Sequence, residues 1–309
     1  MLDDIICSCK YVMDNSQHVK INYDKLDDFI NHIDCNKLKN WLLYNPYNLL
    51  DLDIETIINF LLIFESIDYS FWGNPKWEID TTEGKKDGSD ALLYAMLMYV
   101  KETKRTDFSE ISYDEFKNLL KGNIEIPLLK ERYETVVNVS KIVNETMNGS
   151  FYNYIKEINS DKELFNVIIN NFESFIDERE YDGKTIYFYK LAQLLTSDIL
   201  HIREELENIN VDYSNLIGCV DYKIPQTLRA LNIIEFDDEL DKLVDNKEQL
   251  DVSSKYEVEI RASQIVVIDY ISKKLINSNP IDINDFLFIY SKKVKDIAKP
   301  YHLCRNTNY

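Results

Sequence analysis

Glycine and proline are both scarce in this chain, 7 and 6 among 309 residues. The strongest local signals for turns are therefore missing, which leaves long uninterrupted segments and favours helices. Cysteines number 5 and are scattered, at Cys7, Cys9, Cys35, Cys219 and Cys304. Cys7-Ser8-Cys9 is too tight for a zinc pair, and nothing downstream has ligand spacing, so free thiols in a reducing cytoplasm are expected. With only His18, His32, His201 and His302 present, a three-histidine metal centre would need distant residues to converge. Basic charge is also short, with 35 basic against 54 acidic residues and a net charge of −19. A protein that grips duplex or transfer RNA needs basic surface to displace counterions from phosphates. A nucleic-acid polymer is thus not an expected partner, whereas a local basic pocket for one phosphate stays open. The longest apolar run, near residues 57–64, is too short to span a bilayer. The opening Met1-Leu2-Asp3-Asp4 is acidic where a secretory signal is basic. A cytoplasmic protein without membrane association is the expectation. No glycine-rich phosphate loop, GxGxxG, GxSxG or HExxH occurs. A hydrolase built from this sequence has to work with carboxylates.

What the sequence does contain is helical periodicity. Leu26, Phe29, Ile30 and Ile33 form one stripe, and Leu38, Trp41 and Leu42 another. Asp53 and Glu55 open a segment carrying Ile54, Ile57, Ile58, Phe60, Leu61 and Phe64. After a polar loop at 80–89, helices are predicted over 90–102, 128–147, 162–177 and 186–206. Ser112-Tyr113-Asp114-Glu115 has the form of an N-cap with acids in the first turn. Asp282-Ile283-Asn284-Asp285 is predicted to cap a last helix ending near residue 295. Region 237–256 reads as a surface helix and loop. No strand-like alternation persists and no linker separates domains, so one mostly α-helical domain over residues 1–309 is the simplest account.

Four places depart from an ordinary helical core. Val220-Asp221-Tyr222-Lys223-Ile224-Pro225-Gln226 sets a carboxylate where a helix begins, since proline is tolerated in a first turn. Asp221 is either a plain helix cap or a carboxylate kept ionised beside the positive end of the helix dipole. The latter is what an enzyme needs when positive charge develops on its substrate. Lys190, in Tyr187-Phe188-Tyr189-Lys190-Leu191-Ala192-Gln193, either reaches out to water or faces a cavity, as a phosphate ligand or a partner for Asp221. Asp68-Tyr69-Ser70-Phe71-Trp72, followed by Pro75-Lys76-Trp77, is either a packed loop anchor or a set of walls for a flat heterocycle. The tail, Pro300-Tyr301-His302-Leu303-Cys304-Arg305 onward, either frays or docks and closes a phosphate pocket.

Together these places resemble the queuosine salvage protein family, the queuosine 5′-phosphate N-glycosylase/hydrolases. The resemblance runs in order through almost the whole chain. It includes Phe71-Trp72, Asp87-Gly88-Ser89, Ile126-Pro127-Leu128-Leu129 with Glu131-Arg132, and Phe175-Ile176-Asp177-Glu178. It continues through Tyr189-Lys190-Leu191-Ala192-Gln193, Asp221-Tyr222-Lys223-Ile224-Pro225-Gln226 and Glu257-Val258-Glu259-Ile260-Arg261-Ala262. Lys223 and Leu191 stand where the family pattern has arginines. The resemblance implies a helical fold similar to helix-hairpin-helix DNA glycosylases, and release of the base queuine from queuosine 5′-monophosphate for salvage into tRNA modification. It maps the catalytic pair onto Asp221 and Lys190, with no metal or other cofactor. Substrate contacts are implied from Tyr222, Lys223, Glu259, Arg261, Tyr301, His302 and Arg305. Phe71 and Trp72 would hold the ring plane, and Asp68 beside them would pair with the amine of queuine's side chain. Breaking a ribosyl C–N bond gives the sugar oxocarbenium character, which a nearby carboxylate stabilises. Asp221 can do this and also orient or deprotonate the attacking water. The other function class is a silent binder of queuosine or a related nucleotide, and a polymer-directed base glycosylase is a third.

Overall fold

The computed structural model describes residues 2–33, 40–42, 47–82, 84–276 and 278–309. Leu38 and Cys35 lie outside the described residues. Among the described residues the chain is mostly helical, with three small two-stranded antiparallel sheets. In chain order the elements are α1 (Leu2–Asp14), β1 (Val19–Ile21), α2 (Tyr23–Ile30), α3 (Ile54–Glu65), β2 (Glu78–Thr81), β3 (Gly84–Asp87) and α4 (Gly88–Thr103). Then come α5 (Tyr113–Leu119), α6 (Leu129–Thr146), α7 (Phe151–Ile155), α8 (Asp161–Asn171), β4 (Glu178–Tyr181), β5 (Lys184–Tyr187) and α9 (Lys190–Glu207). The last are α10 (Lys223–Ala230), β6 (Ile234–Phe236), α11 (Asp238–Asp245), α12 (Lys255–Lys274) and α13 (Pro280–Tyr290). No helix among the described residues is long and apolar enough to cross a membrane.

The strands are where the sequence reading was too helical. Residues 80–81 and 84–87 belong to the β2–β3 hairpin, and Gly88 and Ser89 already to α4. Residues 184–187 pair with 178–181, so the helix expected from 186 begins only at Lys190. Asp182 (φ 49°) and Gly183 (φ 76°) make the tight turn of this second hairpin. An Asp-Gly pair is the usual source of two successive positive φ values. The helix expected over 162–177 stops at Asn171, and the last one at Tyr290. Its cap lies at Asn279, whose N–H is bound by Asp282 at 3.1 Å, which frees Asn284 and Asp285 for the interior. The Ser112 cap is present as expected, its Oγ accepting from Glu115 N at 3.2 Å.

The chain contacts group into two compact units. The first comprises Met1–Tyr44, Asp177–Ser197 and Asp212–Asn306; the second comprises Asn45–Ile176, Asp198–Val211 and Thr307–Tyr309. The centre of the first is α12, buried all round from Glu257 to Asp269. Its Ile260, Val267 and Ile268 share an apolar cluster with Leu26 of α2, Leu228 of α10 and Leu287 of α13. A helix enclosed on every side shows no single apolar stripe, so its charged residues have to be satisfied from inside. In the second unit α3 is the buried element, packed against α4, α6 and α7.

Candidate active site

Asp221 stands directly before α10, and its Oδ1 accepts from the N–H groups of Lys223 (2.7 Å) and Ile224 (3.2 Å). The capping reading is thus correct for one oxygen. Oδ2 receives no hydrogen bond from the described residues. Burial pushes the Asp221 carboxyl above the usual carboxylate range, while Lys190 and the two helix N–H groups pull the other way. Lys190 is 6% exposed, so it does not reach out to water. It opens α9, and its own N–H is held by Asp177 Oδ2 at 3.3 Å. The preceding Tyr189 has φ 51°, a left-handed conformation that a bulky residue adopts only when its surroundings impose it.

The segment that delivers Asp221 has no secondary structure of its own, yet its backbone is held atom by atom. Gln193 accepts from Ile217 N (2.8 Å) and Gly218 N (3.1 Å) and donates to Gly218 O (2.9 Å). Asn284 Oδ1 accepts from Cys219 N at 2.9 Å, and Gln264 Nε2 donates to Cys219 O at 2.9 Å. Arg261 Nη2 reaches Val220 O at 3.3 Å. Buried side chains of α9, α12 and α13 thus replace the ladder that a strand would have. Gly218 itself has φ 143°, and an added Cβ would lie 2.9 Å from Ile268 Cδ1. The Gly218→Ala variant is expected to lose about 1–3 kcal/mol of stability from backbone strain. Turnover should fall with it, as read by thermal melts beside rate measurements. Wild-type values for both would show that the segment tolerates a side chain.

Two residues expected to touch substrate are engaged inside the protein. The Glu259 carboxylate accepts from Ser16 Oγ (2.7 Å), Gln17 N (3.1 Å), His18 N (2.7 Å), Val19 N (3.0 Å) and Tyr181 Oη (2.7 Å). It anchors the turn before β1 and has no lone pair left to offer a ligand. Arg261 is fully buried, with a two-pronged pairing to Asp177, Nη1 lying 3.0 Å from Oδ1. Nη1 also reaches Glu257 Oε1 at 3.3 Å, and the guanidinium lies 4.0 Å from the Phe188 ring centre. Arg179 joins from β4, 3.2 Å from Asp177 and 3.4 Å from Glu257. Burial alone would raise Asp177, but Arg261 and then Arg179 outweigh it and hold the carboxyl below its usual range. This ion cluster fixes the N–H of Lys190 on one side and the carbonyl before Asp221 on the other.

The tail is docked. Gln226 donates to Lys299 O at 2.7 Å, Arg229 to Pro300 O at 3.2 Å, and Leu250 N to Leu303 O at 2.7 Å. Tyr301 lies against Tyr222 with ring centres 4.7 Å apart, and Lys223 Nζ is 5.0 Å from the Tyr301 ring. Burial lowers the pKa of Arg305, and the tyrosines 222 and 301 act against that shift. Asp221, Lys190, Tyr222, Lys223, Tyr301 and Arg305 all belong to one compact unit. His302 does not add a cation, because burial and then Arg261 push its pKa down to about 3.

Asp68, Phe71 and Trp72 belong to the second unit. Phe71 is 7% and Trp72 5% exposed. Trp77 stacks on Phe71 with ring centres 6.5 Å apart, and the Arg132 guanidinium lies 4.8 Å from the Phe71 ring. Arg132, fully buried on α6, also donates to the carbonyls of Ile67 and Tyr69. The loop is anchored, as its packed reading required, and Asp68 is buried within it. The residues that the sequence reading did not single out are Asp177, Gln193, Gln264 and Asn284. Asp177 and Gln193 stood within the family motifs and Asn284 within the expected cap, but nothing local marked any of them, or Gln264, as a buried anchor.

Among the described residues, no group of three or more His, Cys, Asp or Glu could hold a metal ion. The family described as queuosine salvage protein matches residues 49–309. A protein of Sphaerobacter thermophilus, named queuosine 5′-phosphate N-glycosylase/hydrolase, is 28% identical over 82% of this chain and 82% of its own length. Proteins of the same name from Mus musculus and Dictyostelium discoideum are each 26% identical. They cover 92% and 93% of this chain, and 90% and 92% of their own lengths. The match takes in the aromatic loop, the Lys190 helix, Asp221 and the docked tail alike, and the chain belongs to the queuosine salvage protein family.

Proposed function

We propose that this chain hydrolyses the N-glycosidic bond of queuosine 5′-monophosphate and releases queuine. Residues 1–309 would work as one N-glycosylase-like domain, in the cytoplasm, with a fold of the helix-hairpin-helix glycosylase kind. The observation that carries the reading is Asp221, a half-buried carboxylate with one oxygen accepting from the two N–H groups that start α10. As the C–N bond breaks, its electron pair leaves with the base, Oδ2 faces the growing positive charge on the ribose and takes a proton from the attacking water, and the base nitrogen regains a proton as Asp221 gives one up. Lys190 works against the burial that raises the Asp221 carboxyl. The proposed reaction needs no metal, since the carboxylate supplies both the negative charge and the base. Lys223 and Arg305 are assigned to the phosphate, with Tyr222 and Tyr301 between them. Phe71 and Trp72 are assigned to the base plane and Asp68 to its amine. Glu259, Arg261 and His302 hold the architecture and receive no substrate contact. Nothing in the reaction calls for a nucleic-acid polymer.

The test is incubation of the protein with queuosine and with its 5′-monophosphate, side by side, with released base followed by chromatography. Queuine should appear from the monophosphate. If neither compound yields base while both raise the melting temperature, the protein is a binder and the catalytic reading is wrong.

A further inference from the structure

Two buried backbone segments lead into the proposed reacting pair. Phe188-Tyr189 runs into Lys190, and Ile217-Gly218-Cys219-Val220 runs into Asp221. One side chain bonds to both segments. Gln193, one turn after Lys190 on α9, is fully buried. Its Nε2 donates to Phe188 O at 2.8 Å and to Gly218 O at 2.9 Å. Its Oε1 accepts from Ile217 N at 2.8 Å and Gly218 N at 3.1 Å. A carboxamide offers two N–H donors and two acceptor lone pairs, so this one is saturated and has nothing left for a substrate. Glutamate at this place supplies one donor when protonated and none when ionised, methionine supplies neither donors nor oxygen, and asparagine is one methylene short.

We propose that Gln193 is a positioning residue for the reaction, fixing the separation of Lys190 and Asp221 by tying the segment that precedes each of them to one amide. This rests on the reading of Asp221 and Lys190 as the reacting pair. Attraction between two charges falls with distance, so a loosened tie changes two things at once. Asp221 meets the sugar less well, and it is less strongly held ionised. A residue that only stabilised the fold would change neither.

The experiment compares wild type, Gln193→Met, Gln193→Glu and, as a control, Leu240→Ala, which cuts a fully buried side chain of the same unit. Each is measured for melting temperature and for kcat, KM and the pH profile of kcat/KM on queuosine 5′-monophosphate. Gln193→Met should lower kcat by about 100-fold, the scale of an ångström-sized misplacement, with little change in KM. Its acid limb should move to higher pH as Lys190 acts less on Asp221. Gln193→Glu keeps one O–H donor only while protonated, so its rate relative to wild type should fall as pH rises. Leu240→Ala should melt earlier with unchanged kcat and pH profile. A Gln193→Met enzyme with wild-type kcat and acid limb overturns the proposal. If that variant does not fold, Gln193→Glu decides, and tracking wild type at every pH overturns the proposal equally. Absence of base release by the wild-type protein sinks the functional reading itself, a failure separate from this one.

Discussion

Asp221→Asn is expected to lose base release by at least about 1,000-fold while binding of queuine is largely kept. The amide keeps the oxygen that accepts from Lys223 N and Ile224 N, so α10 stays capped. It loses the negative charge that stabilises the oxocarbenium-like sugar, and it cannot act as a base. In the wild-type enzyme the rate should fall on acidification through an acid limb above the usual carboxylate range, because burial raises Asp221. Stability should respond with the opposite sign. A carboxyl whose pKa is raised by folding binds its proton more tightly in the native state than in the unfolded one. Stability therefore declines as pH rises from the unfolded pKa near 4 through the folded value, and the cost persists above it. Asparagine carries no such cost. The variant should melt a few degrees higher than wild type at neutral pH, with the gain vanishing below about pH 4. Chromatography of released base and melts across pH check both halves. Normal turnover by the variant would remove Asp221 from the mechanism.

Arg261→Met is the change expected to cost the most stability. It leaves Asp177 and Glu257 buried with Arg179 alone to offset them. Removing one partner from a buried charge cluster costs about 3–5 kcal/mol, because the remaining charge is stranded. The melting temperature should fall by roughly 5–8 °C. In the wild type Asp177 has a depressed pKa, so its contribution is present above the unfolded value and lost only as pH falls through the depressed folded one. Between pH 7.5 and 5 that contribution is flat. In the variant, burial without the guanidinium raises Asp177, which can then take a proton in mild acid. The deficit should therefore shrink as pH is lowered from 7.5 to 5. A deficit constant over that range, or below about 1 kcal/mol, would mean that Arg261 is not the counter-charge that its position indicates.

Much of this arrangement was legible in the residues. Asp221 before a proline-containing first turn specified a carboxylate at a helix start, since capping depends on neighbouring atoms alone. Ser112 was legible for the same reason. Helix α12 was not, because a helix enclosed on all sides carries no stripe and its polar residues interrupt any pattern. The β4–β5 hairpin was hidden because its strands are only four residues long and one inward position of β4 is the charged Arg179, which leaves no apolar alternation, although Asp182-Gly183 marked its turn. Glu259 and Arg261 were expected to touch substrate on the family resemblance alone, and the fold gives them backbone and ion-pair partners instead. A charge in an apolar helix has to be met by something, and only the fold says whether that is substrate or backbone.

The sequence by itself determined a helical chain, the local geometry around Asp221 and membership of a family of base-releasing enzymes. Each of these is set by spacing between near neighbours or by motifs kept in order. Tertiary structure alone decided that Lys190 is buried, that the tail docks beside Tyr222, and that Gln193, Gln264, Asn284 and Arg261 suspend the segment that delivers Asp221. Those are meetings of residues far apart along the chain. Burial there shifts Asp221, and no count of residues along the sequence reports it.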